Sequence, residues 1–136
     1  MSAGELFNGT WVFDPVRSRL TGDRPRHWVQ RIAIDGDRIE ICEDMTMPDG
    51  SHTTVSVDAR FDGQHHVVSG SAIADTISYT RQDAHTITGA GRKQGELSLT
   101  ESVSVSGDGE TLTIRYGIFV SGRQVASGLA HFHRQP

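Results

Sequence analysis

The chain has 136 residues, enough for one domain and too few for two of ordinary size, so residues 1–136 are expected to fold as a single unit. Only 35% of the residues are hydrophobic, and 15 are glycine, a balance that suits short strands, tight turns and an interior left partly open. The formal net charge is −4 and no Lys/Arg cluster interleaves with aromatics, which excludes the usual footprint of a nucleic-acid-binding protein. No stretch approaches the roughly 18 apolar residues of a membrane-spanning helix. The start, Met1-Ser2-Ala3-Gly4-Glu5-Leu6-Phe7, lacks the basic and apolar regions of a signal peptide. Cytoplasmic residence without a membrane partner is therefore expected. Cys42 is the only cysteine, so an internal disulfide is excluded and a cysteine-based zinc site is disfavoured.

Alternation of period two dominates the chain. A first strand is expected over residues 8–14, and only residues 15–24 leave room for a short helical turn. Residues 27–34 place Trp28, Gln30, Ile32 and Ile34 on one face. Asp35-Gly36-Asp37 then reads as a hairpin turn into residues 38–43, where Ile39, Ile41 and Glu43 share a face. Residues 53–61 set Val55, Val57, Ala59 and Phe61 against Thr54, Ser56, Asp58 and Arg60. Asp75, Ile77, Tyr79 and Arg81 form the next face, and Leu97, Leu99, Glu101, Val103 and Val105 another. After a turn at residues 106–110, Leu112, Ile114, Tyr116 and Ile118 alternate with Thr111, Thr113 and Arg115. Ser121-Gly122-Arg123 turns into a last strand over residues 124–134. Three of the four prolines lie between these segments. The pattern predicts an all-β fold, a single antiparallel up-and-down barrel of 8–10 strands, with a sandwich as the alternative.

Three segments carry a family likeness. Gly9-Thr10-Trp11 followed by Asp14-Pro15-Val16-Arg17-Ser18, the run Gly70-Ser71 with Ala74-Asp75-Thr76-Ile77-Ser78, and Asp108-Gly109-Glu110-Thr111-Leu112-Thr113 occur in that order. The chain resembles the small bacterial lipocalin-like domains of the lipocalin/calycin superfamily over nearly its whole length. That resemblance implies a barrel with an internal cavity, in which the opening Trp11 closes one end and Arg134 of the final strand stacks over it. It implies no particular reaction, because such folds host carriers and enzymes alike.

Glu101 is the sharpest chemical signal, a carboxylate in the middle of an apolar face. A buried charge needs a partner or a wet cavity, and burial would raise its pKa toward a useful acid–base range. A solvent-facing position, or a structural pairing with an arginine, are the competing readings. His131 and His133 alternate with Phe132, and their face continues through Leu129, Ser127 and Val125, which makes His131 an acid–base candidate and His133 a wall candidate. Without a third ligand at suitable spacing, no metal site is expected. Trp28, Gln30, Tyr79 and Tyr116 are candidates for the cavity wall. Asp75 is a further candidate, although a turn-capping or ion-pair role suits its segment better. Met45 and Met47 lie in a loop that could cover the mouth, with a plain hairpin loop as the simpler reading. No nucleophile elbow, phosphate loop or dinucleotide fingerprint is present, so no cofactor is expected. The leading expectation is a monomer or homodimer that binds a small, largely apolar or aromatic metabolite, with no nucleic-acid partner. The alternative is a cofactor-free isomerase, cyclase or lyase of specialised metabolism, using a Glu101/His131 pair in the same cavity.

Overall fold

A computed structural model describes residues 5–136. Ten strands run β1 Gly9–Leu20, β2 His27–Asp35, β3 Arg38–Thr46, β4 His52–Arg60, β5 His66–Ser69, β6 Thr76–Arg81, β7 Thr86–Lys93, β8 Glu96–Val105, β9 Thr111–Val120 and β10 Arg123–Arg134. Each pairs antiparallel with its chain neighbour, and β1 pairs with β10, closing an up-and-down barrel. Closure gives every strand a partner on both sides. There is no helix among the described residues, and hence none long and apolar enough to cross a membrane.

Two-residue hairpins fix much of the register. Asp35 pairs with Arg38 around Gly36, whose φ of 61° supplies the left-handed first position of a tight turn. The β7–β8 and β9–β10 loops each place two successive residues at positive φ, Gln94-Gly95 and Ser121-Gly122, as the right-handed strand twist requires.

The segment expected as a possible helical turn is instead strand. β1 continues to Leu20 across a wide bulge, since Asp14 faces His131 while Arg19 faces Leu129. Pro15 can donate nothing to the ladder here. The Asp14 carboxylate accepts from Val16 N and Arg17 N, at 3.1 and 3.3 Å. Ser18 then bridges the interruption: its hydroxyl donates to Asp14 O at 2.7 Å and accepts from His131 N at 2.8 Å. The Asp-Pro-x-x-Ser motif is thus a device for bending β1 without leaving backbone groups unpaired.

The two ends of the barrel differ. At the closed end, Trp11 is fully buried and its Nε1 donates to Phe7 O at 2.9 Å. The Arg134 guanidinium lies 4.2 Å from the Trp11 ring and donates to the carbonyls of Leu6, Asn8 and Gly109. Arg81 stacks on Phe7 and Phe61 and pairs with Glu5. Above this plug, Phe13, Trp28 and Phe132 form an aromatic cluster with centroids 4.9–5.8 Å apart. Toward the other end the inner side chains thin out and a cavity begins.

Candidate ligand-binding site

The cavity has a volume of about 390 Å³ and opens between the β1–β2, β3–β4 and β5–β6 loops, where Thr21, Pro25, Met47 and Ser71–Ala74 line it. Its walls are mostly aliphatic, from Ile41, Val55, Leu99 and their neighbours. Six larger polar or aromatic side chains converge inside: Trp28 and Gln30 from β2, Glu43 from β3, Tyr79 from β6, Glu101 from β8 and Tyr116 from β9.

On one wall Gln30 and Glu43 are direct cross-strand partners, and Trp28 is the next inward residue along β2. Trp28 Nε1 and Gln30 Nε2 both donate to Glu43 Oε1, at 2.5 and 3.0 Å. Burial raises the Glu43 pKa, and these two bonds work against that rise.

The opposite wall follows one row across the sheet. Tyr79 faces Gly89, Gly89 faces Glu101, Glu101 faces Tyr116, and Tyr116 faces Gly128. Large and small residues alternate along it. Over Gly89 a methyl group would meet Glu101 Cγ and Tyr79 Cε1, both at 3.1 Å, so the missing side chain lets those two meet. Burial, reinforced by the charge of Glu43, pushes the Glu101 carboxyl up to about 7, while its hydrogen bond with Tyr79 pulls the other way. The same burial and the neighbouring carboxyls push the Tyr79 hydroxyl well above the usual phenol range. Tyr116 is also raised, first by burial and then by Glu43.

Gly128 matters through space alone. A Cβ there would lie 2.4–2.5 Å from Cε2, Cζ and Oη of Tyr116, so the phenol ring rests directly on bare backbone. Gly128→Ala is expected to cost about 1–3 kcal/mol and to tip Tyr116 into the cavity. Urea unfolding and a crystal structure of the variant check this; an unmoved Tyr116 ring would refute it.

The Glu101 face therefore looks into the cavity, with the residue half-buried and in no ion pair with an arginine. Trp28, Gln30, Tyr79 and Tyr116 are brought together with it. His131 and His133 are not. Ala126, Gly128, Ala130 and Phe132 form the inward face of β10, with Ala130 and Phe132 buried. His131 lies on the outer side, its Nδ1 3.0 Å from Thr113 Oγ1, and burial with nearby Arg17 lowers its pKa. The expected inward face of Val125, Ser127 and Leu129 is thus the outer one, and a Glu101/His131 pair does not form. Leu129 lies against the bent arm of β1 in an outer groove shared with Arg19 and Arg115. Asp75 stands outside the cavity wall, where its Oδ2 accepts from Gln94 N at 2.9 Å and latches the β5–β6 loop to the β7–β8 turn. Met45 and Met47 both reach the cavity. Glu43 was not singled out by sequence reasoning, although it shares its face with Ile39 and Ile41 just as Glu101 does with its leucines and valines. No group of three or more metal-ligating side chains occurs among the described residues.

Among solved structures, the chain is similar to a zebrafish ileal bile acid-binding protein complexed with cholic acid (13% identity, TM-score 0.60, covering 96% of this chain and 99% of that one). It is also similar to mFAP1, a redesigned β-barrel bound to DFHBI (12% identity, TM-score 0.58, 98% and 100% covered), and to EF1p2_mFAP2b bound to DFHBI (14%, 0.53, 96% and 95%). At these identities the likeness is one of fold. No family model and no curated protein matches the sequence.

Proposed function

We propose that the chain, acting as one domain over residues 1–136, binds a small, largely apolar organic molecule inside the barrel. The observation that carries this reading is the 390 Å³ cavity, whose aliphatic walls enclose a few convergent polar groups. The complexes of similar barrels with cholic acid and with DFHBI support it. Trp28 and Tyr116 offer flat apolar contact, and Gln30, Glu43, Tyr79 and Glu101 offer orientation. Residence in the cytoplasm belongs to the same proposal.

A second reading, cofactor-free proton-transfer catalysis, is favoured by one feature: Glu101 is held near 7 beside Tyr79, across the cavity from a second carboxyl. In that reading Glu43, and not a histidine, would be the partner of Glu101.

Incubating the purified protein with a small-molecule extract of its source, followed by mass spectrometry of bound and free fractions over time, separates the two. The expected result is one compound retained unchanged at one equivalent, with retention lost in Trp28→Ala or Tyr116→Ala. Consumption of a compound beyond one equivalent would overturn the carrier reading in favour of the enzyme. Retention of nothing would count against both.

A further inference from the structure

The charge inside the cavity is one-sided. Asp23 stands at the mouth and Glu43 and Glu101 within, while among the described residues no lysine, arginine or histidine lines the space. Arg19, Arg24 and Arg115 line an adjoining groove that Glu101 and Tyr116 also border, but no ion pair joins any of the three to Glu101. Glu43 and Glu101 are half-buried, and a carboxylate that has given up part of its water and gained no cation is costly unless something else supplies the opposite charge. Glu43 Oε1 is taken by Trp28 and Gln30, but no protein donor among the described residues bonds Oε2. Tyr79 offers Glu101 a single hydroxyl.

Building on the binding reading above, we propose that the ligand is a hydrophobic amine, whose protonated nitrogen is held between Glu43 and Glu101 while its hydrocarbon body packs against the aliphatic wall and Trp28. The cavity then discriminates by charge: an anionic ligand of the same shape meets two carboxyls and no cation. Primary and secondary amines fit best, because their ammonium carries at least two N–H groups, one to donate to the open oxygen of Glu43 and one to Glu101.

This recognition carries a proton signature. The groups facing Glu101 inside the cavity are Glu43 from β3, Tyr79 from β6 and Tyr116 from β9, with the uncharged Trp28 and Gln30 from β2; on its groove side stand Arg19 and Arg115 with Arg24 of the β1–β2 loop, none of them ion-paired with it. In the empty cavity burial and Glu43 keep Glu101 partly protonated near neutrality. An ammonium between the carboxyls favours their ionised forms, so binding expels protons.

The test uses three probes of one shape: 1-naphthylmethylamine, 1-naphthylmethanol and 1-naphthylacetate, titrated calorimetrically at pH 7 in two buffers of different ionisation enthalpy. The amine is expected to bind about tenfold or more tighter than the alcohol, and the acetate more weakly than either. Amine binding should release protons, and E43Q/E101Q should bring the amine down to the level of the alcohol. If that double variant does not fold, proton release from the unaltered protein decides. Equal binding of amine and alcohol, tighter binding of the acetate, a preference that survives E43Q/E101Q, or no proton release overturns the inference and leaves the binding reading intact. Failure of all three probes to bind at millimolar concentration would instead remove the binding reading, and this inference with it.

Discussion

Trp11→Ala is expected to lower the melting temperature by about 10–20 °C, the largest effect of any single truncation in the barrel. Trp11 is fully buried at the closed end and is one of the largest side chains so placed. Its removal leaves a cavity that the surrounding strands cannot collapse into, because β1 is held by β2 on one side and β10 on the other. Truncations of this kind cost about 3–5 kcal/mol, and each kcal/mol moves the transition of a domain this size by roughly 3–5 °C. Two further losses accompany it. The carbonyl of Phe7 loses its indole donor, and Arg134 loses the ring beneath it while its bonds to Leu6 O, Asn8 O and Gly109 O remain. Differential scanning calorimetry of Trp11→Ala and Trp11→Phe measures the effect. A fall of less than about 5 °C for the alanine variant would mean that Phe7 and Arg81 close this end without the indole.

Glu101→Gln should stabilise the protein at pH 8, and by far less at pH 5. In the folded state Glu101 holds its proton up to about 7, against an ordinary value of 4.5. A carboxyl raised on folding contributes stability that is fully present below 4.5 and is lost as pH climbs through 7, since the folded state binds the proton more tightly. The loss across that window is about 3 kcal/mol, an upper figure to the extent that water enters the cavity. Glu43 is raised for the same reason and adds to the same slope. His65 and His131 are lowered and act in the opposite sense, gaining stability as pH rises toward 6.5, so the wild-type profile alone does not isolate Glu101. The difference between the wild type and E101Q does. Urea midpoints at pH 5, 6, 7 and 8 are expected to diverge progressively, with the variant ahead at pH 8. Parallel profiles would show that Glu101 titrates as a solvated carboxylate.

Most of the barrel was legible because alternation has a direct physical cause, one face packed and one face wet. Strands β2, β3, β4, β6, β8 and β9 present most of their larger apolar side chains on a single parity, and the structure turns those faces inward; Leu97, carried outward by the bulge between Gly91 and Arg92, is the exception on the β8 face. Glu101 was legible for the same reason, an ionisable group on a parity otherwise reserved for leucine and valine. Glu43 obeys the same rule with only Ile39 and Ile41 to frame it, and a shorter frame gave a weaker signal. The last strand misled because size is a poor guide where a barrel leaves room. Val125 and Leu129 look like core residues, yet Val125 is 56% exposed at a bulge and Leu129 covers the outer arm of β1. The true inner face, Ala126, Gly128, Ala130 and Phe132, is small at the cavity and large only near the plug. β7 was obscured likewise, since Gly89 and Gly91 give its inner face almost no side chain. β5 is four residues long and offers too few positions for any period to show.

That short strand gives the ring a weak link. β5 meets β4 through Ser56–Ser69 and Val57–Val68 and meets β6 through His66–Ile77 and Val67–Thr76, whereas β3 meets β4 through nine residue pairs. Opening the wall there breaks few backbone bonds, so sub-global fluctuations concentrate at β5 and leave the remaining strands hydrogen-bonded as one curved sheet. The barrel is, in kinetic terms, a sheet with a hinged slat beside its cavity, and the interior is least well sealed there.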